Sequence, residues 1–331
     1  MEKCYPYANI LDYVPEEARL HIPSGQQKII TAALSRMKSE QKLADYLNVS
    51  RGTVNDWKHG RTRITFGPYK KLKSMLNEKM PDYIAVQTHK RKSIKTPAIE
   101  ISPLLAWVFG LRKGDRDEDE YSVGIGTSDL EIAQTFINAI KHIMRVQPGE
   151  FWCMVTAPKD FISPQEKTRI KNIYSRLLDL SPHTIRACSR GRNERHKKYH
   201  IIIRYYNRLA RILLDNIEQE FNFHLLQYNT AVQAYYLKGL IDSEGTVRDS
   251  GKIDIVMRPN DSLELCSKIA KNLKLRYRFV RDEKHNLIIL TLYGPASLLV
   301  AHCNPVHKMK SEKLRGSIQY LRYRARVPQQ R

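Results

Sequence analysis

The amino-acid sequence predicts an α+β protein in which one α/β unit occurs twice, after a small all-α module. Three observations lead to this prediction. Two apolar helical segments end in an acidic residue, similar strand and helix patterns follow each of them, and an N-terminal stretch has the spacing of two short helices. The predicted domains are an N-terminal helical domain (1–76), a basic linker (77–100), a first repeat (101–225) and a second repeat (226–331).

The segment 237–245 ends an apolar helical run with Glu244, which is followed by Gly245. A carboxylate is unfavourable at a helix C-terminus, where the macrodipole places partial negative charge, unless a cation lies against it. Gly245 fits the left-handed residue that commonly closes a helix. The pattern therefore indicates an acid that is kept for a positively charged partner, such as a metal ion.

The segment 108–115 is a degenerate version of the same pattern and ends in Asp115. Small residues recur every four positions in both regions: Ala106, Gly110 and Gly114 in the first, Gly239 and Ser243 in the second. Because residues four apart share one helix face, such faces let two backbones approach closely. The small residues therefore predict that the two helices pack against each other.

Similar elements follow each acid-ended segment. Alternation and helical periodicity predict strands at 121–126, 199–206, 252–258 and 286–293, and helices at 129–144 and 262–273. The spacing between Asp115 and Glu244 leaves room for one αββαββα-type repeat plus an insertion. The sequence thus predicts an internal duplication.

The second segment matches a known motif at Leu237, Gly239, Leu240, Ile241, Asp242 and Gly245, with Glu244 at the position of the motif's metal-binding acid. It resembles the core motif of the LAGLIDADG homing endonucleases. The first segment keeps the glycine, the leucine and the acid, but has Arg112 and Lys113 where that family usually has Ile and Asp. The resemblance implies a monomer of two tandem αββαββα repeats, which form a pseudo-twofold saddle on double-stranded DNA.

The resemblance also implies the chemistry of the site. In this family the acids at the ends of the two helices jointly hold the metals that cleave DNA, which makes Asp115 and Glu244 the expected metal ligands and catalytic residues. Mg²⁺ is the expected cofactor, with Mn²⁺ as a substitute, because oxygen ligands suit Mg²⁺ and bridged metals activate water and neutralise the leaving oxygen. Asp242 is a weaker candidate because two helical residues turn its side chain roughly 200° away.

Two basic residues complete the implied catalytic centre. The segment 305–310 resembles the loop of the family's catalytic-site lysine, which falls on Lys310, and Arg258 resembles a residue that contacts the metal-bound water network. The first repeat has no basic residue at its strand end, 126–127, and no lysine in the segment 221–224. These losses leave open an enzyme that nicks one strand, or a protein that only binds DNA.

The N-terminal domain resembles a helix-turn-helix within residues 41–58. Its apolar residues have the spacing of two short helices that share one apolar face: Leu43, Ala44, Leu47, Val49, Val54 and Trp57. Ser50 is a natural N-cap of the second helix. In this arrangement the residues facing the DNA groove are Arg51, Thr53, Asn55 and Lys58, and those placed to contact phosphates are Arg61 and Arg63.

The resemblance further implies that each repeat lays an antiparallel sheet along the major groove, where alternate residues face the bases. The basic candidates on or beside the predicted strands and the loop of Lys310 are Arg204, Arg208, Arg258, Arg276, Arg278, Arg281 and Lys308. Residues 276–279 alternate as a half-buried strand should.

Composition agrees with a polyanionic partner, because 56 Lys and Arg against 34 acidic residues give a net charge of +22. The sequence has no run of 18 apolar residues and no apolar signal core at its start, so a membrane is not expected and a cytoplasmic, nucleoid-associated location is. Five cysteines without a CxxC pair predict neither a zinc ribbon nor a disulfide frame. We also discount zinc at the pair His196 and His200 and at the cluster His302, Cys303 and His307, because their spacing is wrong or incomplete.

Three functions remain open. The first is a site-specific DNA endonuclease of the intron- or intein-homing kind, whose helix-turn-helix extends the recognition site. The second is a non-cleaving, LAGLIDADG-derived DNA-binding transcriptional regulator, and the third is an RNA-splicing maturase that binds intron RNA. Asp115 and Glu244 favour catalysis, since carboxylates that face phosphates oppose mere binding, and no extensive aromatic stacking surface supports single-stranded RNA.

Overall fold

The computed structural model describes residues 6–22, 25–77, 85–87, 93–94, 98–189, 198–258 and 261–326. They form two compact units, a smaller one of residues 7–99 and 207–217 and a larger one of residues 100–206 and 218–331 with Pro6. His196 lies outside the described ranges, as do four cations of the predicted basic linker, Lys90, Arg91, Lys92 and Lys95.

Helices and short strands build the smaller unit. Its elements are β1 (Tyr7–Asn9), β2 (Arg19–His21), α1 (Gln26–Met37), α2 (Glu40–Leu47), α3 (Arg51–Lys58), α4 (Phe66–Leu76), β3 (Ala85–Gln87), β4 (Ser93–Ile94) and β5 (Ala98–Glu100). Helices α2 and α3 form where the apolar spacing predicted them. The apolar face that they share is buried at Leu43, Ala44, Leu47, Val54 and Trp57.

Capping side chains set the starts of α2 and α3. Ser39 Oγ accepts a hydrogen bond from the backbone N–H of Lys42 at 3.4 Å, and Ser50 Oγ accepts one from that of Thr53 at 3.1 Å. Asn48 ends α2 in the left-handed region, with φ 58°, which a short polar side chain tolerates. The predicted N-cap role of Ser50 is confirmed.

The segment 77–100 is not a linker throughout, which corrects the prediction. Strand β3 pairs antiparallel with both β2 and β4, and β5 pairs with β1. Strands β3 and β5 thus form backbone hydrogen bonds with β2 and β1, which lie far away in the sequence. Composition predicts a linker here because the pairing partners, such as Leu20 opposite Val86, are non-local.

The larger unit contains both acid-ended helices. Its elements are α5 (Pro103–Asp115), β6 (Ser122–Thr127), α6 (Leu130–Met144), β7 (Phe151–Ala157), α7 (Pro164–Leu178), β8 (Ile185–Ser189), β9 (His200–Tyr206), α8 (Arg208–His224, which begins within the smaller unit), α9 (Thr230–Glu244), β10 (Gly245–Val247), β11 (Ile253–Met257), α10 (Asp261–Asn272), β12 (Arg276–Asp282), β13 (Leu287–Tyr293), α11 (Ala296–Cys303) and α12 (Lys308–Arg326). The four strands and two helices predicted after the acid-ended segments are confirmed within one residue of their expected bounds.

Two four-stranded sheets follow the two acid-ended helices, with strand orders β6-β9-β7-β8 and β10-β11-β13-β12. After α9 the elements run in the predicted order ββαββα. After α5 a single antiparallel bridge, Arg116 opposite Ile125, takes the place of the β10–β11 ladder. Helix α7 and strand β8 are inserted between β7 and β9, and β8 pairs parallel with β7. The predicted insertion is therefore α7 with β8.

Strand β12 was expected to be half-buried, and the structure corrects this. Six of its seven residues are exposed, and Tyr277 and Phe279 keep 37% and 43% of their surface accessible. Both lie on the same side of the sheet as the buried Leu290 and Leu292 of β13. β12 is the edge strand of its sheet. The alternation in its sequence distinguishes two faces of the strand, but the side chains on both faces are exposed.

Among the described residues, no helix combines the length and the apolar character needed to cross a membrane.

Candidate active site

Helices α5 and α9 pack against each other through glycines. A Cβ atom built on Gly110 would lie well under 3.0 Å from the carbonyl oxygen of Tyr236, and one built on Gly239 equally close to that of Trp107. Real Cβ atoms essentially never come this close to another atom, so the two backbones touch at this crossing. The predicted close packing of the small-residue faces is confirmed at both glycines.

The two helices end with their acids close together. Asp115 is the last residue of α5 and Glu244 is the last residue of α9. A Cβ atom on Gly114 would clash with the Glu244 carboxylate, so this carboxylate rests against the backbone next to Asp115. The structure thus brings together the two acids that the motifs singled out.

Gly245 closes α9 differently from the prediction. Its φ of −84° and ψ of 146° are extended rather than left-handed, because β10 begins at this residue. A side chain is excluded here for a steric reason, since a Cβ atom would lie 2.5 Å from the carbonyl oxygen of Ile241.

Burial and mutual repulsion make the acid pair difficult to ionise. Burial is the main cause that raises the pKa of Asp115 to about 7, and the charge of Glu244 raises it further. Burial also raises the pKa of Glu244, and Lys310 opposes the shift at both acids without offsetting it. A divalent cation between the two carboxylates would favour both ionised forms.

Lys310 lies over the C-terminal turn of α9. Its Nζ donates hydrogen bonds to the carbonyl oxygens of Ile241 at 2.9 Å and Asp242 at 2.7 Å, in the last turn of the helix. Burial lowers the pKa of Lys310, while four nearby carboxylates, including Asp115 and Glu244, raise it. The lysine predicted for the catalytic centre therefore lies within electrostatic range of both acids.

Asp242 has a structural role that sequence reasoning missed. Its Oδ2 accepts hydrogen bonds from Trp107 Nε1 at 2.8 Å and Val306 N at 3.1 Å, and its Oδ1 accepts one from His307 N at 2.9 Å. These bonds connect α5, α9 and the segment before α12. Both oxygens of this buried carboxylate are occupied, which agrees with its lower rank as a metal ligand.

The motif resemblance implies this arrangement. The two helices cross at a glycine of each and end with adjacent acids, and a lysine lies over the last turn of α9. The resemblance to the LAGLIDADG motif thus extends from the two acid-ended segments to the helix pair that they form.

No protein-family model and no curated protein matches the sequence. Among solved structures, the homing endonuclease I-DmoI in complex with DNA and Mn is 15% identical over 61% of this chain and 97% of that chain, with a TM-score of 0.39. Full-length WhiA from Thermotoga maritima is 14% identical over 69% of this chain and 62% of that chain, with a TM-score of 0.40.

The first LAGLIDADG segment departs from the motif at Arg112 and Lys113, and the structure supplies a physical reason. Glu218 lies 2.8 Å from Arg112 Nη1 and 3.3 Å from Lys113 Nζ. The Arg112 side chain is fully buried and that of Glu218 is 7% exposed, and a buried charge requires such a partner. Lys113 occupies the position that Asp242 has in the second segment, so the two halves of the centre differ in charge.

Two further predicted residues lie at the edges of elements of the larger unit. Arg258 directly follows β11, and Lys308 is the first residue of α12; both side chains are exposed. The catalytic role of Arg258 and the DNA contact of Lys308 stay predictions.

In the smaller unit, acidic neighbours engage several of the residues predicted to face DNA. Glu40 lies 3.0 Å from Lys58 Nζ and 3.4 Å from Arg51 Nε, and Asp56 lies 3.7 Å from Arg61 Nη1. Sequence reasoning missed Glu40, which is on α2 while Arg51 and Lys58 are on α3. The half-buried residues whose DNA contacts also stay predictions are Thr53, Asn55 and Arg63.

Arg204 is held by the acidic turn 117–120. Its Nη2 donates to Asp117 Oδ1 at 3.0 Å, its Nε donates to the same carboxylate, and its Nη1 lies 3.2 Å from Asp119. Its guanidinium also lies 5.4 Å from the centre of the Trp152 ring. The turn is therefore an ion-pair partner of Arg204, and the DNA contact of Arg204 stays a prediction. Arg208 is exposed at the start of α8.

The three arginines of β12 do not share one face. Arg276 and Arg278 lie on the side of Thr291, whose hydroxyl donates to Asp254 Oδ1, whereas Arg281 lies opposite Ile288 on the other side. The DNA contacts of the three arginines stay predictions.

The donor set suits Mg²⁺. Among the described residues, no group of three or more His, Cys, Asp and Glu side chains is placed to hold a metal ion. The adjacent carboxylates of Asp115 and Glu244 would be the oxygen donors to a metal at this place. Mg²⁺ usually keeps several waters and is held by one or two carboxylates together with substrate phosphates, which fits such a pair.

Asp115→Asn is expected to stabilise the protein in the absence of divalent metal at about pH 8. The pKa of Asp115 rises from 3.8 to about 7 in the folded protein, so folding becomes less favourable as pH increases across that interval. At about 1.4 kcal/mol per pKa unit, neutralising this acid adds roughly 1–4 kcal/mol.

Urea unfolding with EDTA at about pH 8 and pH 4 measures this effect. The gain should be largest at about pH 8 and small at about pH 4, where Asp115 keeps its proton in the folded protein. Asp179→Asn is the matched control, because Asp179 is 83% exposed beside Lys141 and its loss should change stability by less than about 1 kcal/mol. A less stable Asp115→Asn protein at pH 8 would show that the ionised carboxylate supports the metal-free fold.

Proposed function

We propose that this protein is a site-specific, divalent-metal-dependent endonuclease that hydrolyses phosphodiester bonds of double-stranded DNA at a long recognition site. The observation that carries the proposal is the position of Asp115 beside Glu244, at the ends of two helices in backbone contact. Buried carboxylates with raised pKa values oppose a polyanion and destabilise the metal-free protein. A protein that only bound DNA would gain nothing from them, whereas a nuclease needs them to hold a metal.

In this proposal Asp115 and Glu244 hold Mg²⁺, and Mn²⁺ can substitute for it. The bound metal supplies an activated water and neutralises the charge that grows on the leaving oxygen. The contribution of the chain is to fix both carboxylates in a mostly buried place, because the glycine crossing prevents the two helix ends from separating.

Lys310 is the proposed stabiliser of the reacting phosphate. An ammonium group has three hydrogen-bond donors, and the carbonyls of Ile241 and Asp242 take two of them. The remaining donor can contact a phosphate oxygen, where a fixed positive charge stabilises the transition state.

The two halves of the centre are not equivalent, and this bears on the two DNA strands. Lys310 belongs to the second half, while the first half places Lys113 beside Glu218 and has no lysine in the segment 221–224. We therefore expect the two strands to be cut at unequal rates, with nicked plasmid accumulating before linear product.

The proposed DNA surface consists of the two sheets, arranged as tandem repeats in a pseudo-twofold saddle of one monomer. In the second sheet Arg276 and Arg278 share a face with Thr291. In the first sheet the exposed Arg186, which sequence reasoning missed, lies opposite Met154. Such faces can read base edges in the major groove, and the net charge of +22 supplies the attraction for phosphates.

The smaller unit is proposed to extend the recognition site. Helices α2 and α3 share a buried apolar face and are joined by a short turn that contains Asn48, as in a helix-turn-helix. Arg51 and Lys58 on α3 are the proposed DNA contacts, and Glu40 competes with DNA for both.

Glu40→Gln is therefore expected to tighten binding of duplex DNA. The substitution releases the side chains of Arg51 and Lys58, which the Glu40 carboxylate holds at 3.4 and 3.0 Å. Because exposed ion pairs are weak, the dissociation constant should fall roughly twofold to tenfold. The slope of log K against log salt should also become steeper, by up to the contribution of about two phosphate contacts. Fluorescence anisotropy with a labelled duplex at several salt concentrations measures both quantities.

Glu264→Gln is the matched control for this substitution. Glu264 also pairs with a lysine, Lys268 at 2.7 Å, and its loss changes the net charge by the same amount. Tighter binding in both variants to the same degree would mean that net charge alone is responsible. Unchanged or weaker binding in Glu40→Gln would remove α3 from the proposed DNA contacts.

The proposed function is tested with supercoiled plasmids that carry the intronless genomic locus around the gene. Incubation with Mg²⁺ or Mn²⁺ should give a discrete nicked or linear product, and EDTA should prevent it. The absence of product from a protein that binds the same DNA tightly would overturn the proposed nuclease activity.

The second candidate is a DNA-binding protein that no longer cleaves. The observation that favours it is Lys113, a cation that replaces the acid of the motif and pairs with Glu218 in the first half of the centre. This candidate predicts sequence-selective binding that is unaffected by divalent metal. The plasmid assay therefore separates the two functions.

A further inference from the structure

Asp129 and His307 form a contact between the two halves of the larger unit. Asp129 precedes α6, in the first half, and His307 precedes α12, in the second. His307 Nδ1 lies 3.3 Å from Asp129 Oδ2, and the side chains are only 24% and 15% exposed. The other oxygen, Oδ1, accepts a hydrogen bond from Ile132 N at 2.9 Å and caps α6. Asp129 is therefore fixed by its own helix, and the His307 ring lies beside it at ion-pair distance, without the geometry of a hydrogen bond.

His307 is also held through its backbone. Its N–H donates to Asp242 Oδ1 at 2.9 Å, and Asp242 in turn accepts a hydrogen bond from Trp107 on α5. The backbone of His307 is thus bonded to α9, and its ring lies against the residue that caps α6. Both contacts lie at the start of α12, where Lys310 follows three residues later.

Lys310 depends on that first turn for its position. A lysine side chain is long and rich in rotamers, so its ammonium stays at one place only if its backbone is fixed and its donors are satisfied. The donors meet the carbonyls of Ile241 and Asp242, and Asp129 is one of the carboxylates that act on its charge. The pair of Asp129 and His307 lies at the base of the segment that carries this ammonium.

We infer that Asp129 and His307 are a positioning pair that holds Lys310 over the ends of the two LAGLIDADG helices. The inference rests on the proposed function for its catalytic consequence, but the placement of Lys310 can be measured without cleavage. It assigns to the first half of the centre, which has no lysine in the segment 221–224, the task of fixing Lys310 of the second half.

The direct test is acylation of lysines by a water-soluble N-hydroxysuccinimide ester, followed by peptide mass spectrometry. Wild-type Lys310 should react slowly compared with the exposed Lys284. His307→Ala should raise the reactivity of Lys310 about threefold to tenfold, because the loss of a part-buried polar contact shifts local opening by that order. Asp129→Asn should raise it less, since an amide keeps the cap on α6.

His307→Asn and His285→Ala provide the controls. An asparagine keeps an N–H donor close to the position of Nδ1, so His307→Asn should restore most of the protection of Lys310. His285 contacts Asp282 at 2.9 Å in a similar His–Asp pair on the β12–β13 hairpin, so His285→Ala should leave Lys310 unchanged. Should His307→Ala fail to fold, His307→Asn and Asp129→Asn still vary the contact. Unchanged Lys310 reactivity in Asp129→Asn and in the folded His307 variants overturns the inference.

The catalytic consequence is tested by a double-mutant cycle. His307→Ala should lower kcat with little change in KM, but it should have no further effect in a Lys310→Met background, because it acts through that lysine. Equal losses in both backgrounds would overturn the positioning role. A wild-type protein without nuclease activity would contradict the proposed function alone, since the acylation result still decides whether the pair positions Lys310.

Discussion

Asp115→Asn and Glu244→Gln are each expected to lower the rate of DNA cleavage by at least about 100-fold. Each substitution removes one of the two charged ligands that the helix pair offers to a metal, and the remaining carboxylate alone cannot hold it in place. Because Glu244 lies against the backbone beside Asp115, the two acids act as one unit and the double variant should be no slower than the worse single variant.

DNA binding in the presence of Ca²⁺ should be retained, and even strengthened, in both acid variants, since a negative charge that faces the phosphates is lost. Quantification of nicked and linear plasmid over time measures the rates, and anisotropy with a labelled duplex measures binding. Asp179→Asn is the matched control, because this exposed acid should leave both quantities unchanged. Wild-type cleavage rates in Asp115→Asn would show that the centre does not lie between the two helices.

Gly110→Ala and Gly239→Ala are expected to destabilise the protein by more than about 3 kcal/mol, or to prevent soluble expression. In each case the new methyl group would meet a backbone carbonyl of the opposite helix, of Tyr236 or Trp107, at a distance that no real Cβ atom occupies. Backbone atoms cannot move aside as a side chain can, so the helices must separate and expose the core between them.

Two other glycines make this prediction specific. Gly114→Ala would meet only the end of the Glu244 side chain, so we expect a folded protein with a displaced carboxylate and impaired cleavage. Gly316→Ala on α12 would meet nothing within 4 Å and should stabilise the helix by roughly 0.5–1 kcal/mol. Chemical denaturation of the four variants measures the series. Wild-type stability in Gly110→Ala would contradict the close helix crossing.

Local signals in the sequence predicted most elements of the larger unit. The strands and helices after Asp115 and Glu244 begin and end within one residue of their expected bounds, because hydrophobic periodicity and capping act over a few neighbouring residues. The same holds for Ser50, whose hydroxyl caps α3 from three residues away. Gly245 was misjudged since its conformation depends on the strand that follows, not on the helix that it ends.

Non-local contacts escaped sequence reasoning. The partner of Arg112 is Glu218, 106 residues away, and Trp107 bonds Asp242 across 135 residues. Arg204 looked available for DNA until the fold placed Asp117 and Asp119 against it. In each case the residue itself can be picked out from the sequence. Its role, however, depends on which distant side chain the fold places in contact with it.

The sequence by itself determined that two acid-ended helices with small-residue faces are present, since glycine spacing and terminal acids are properties of short segments. Only the tertiary structure decided that Asp115 and Glu244 meet, that Lys310 lies over the last turn of α9, and that Asp129 and His307 lie together before α12. The physical reason is that burial and pairing of charges are set by the surroundings of each side chain, and those surroundings exist only after distant segments have packed together.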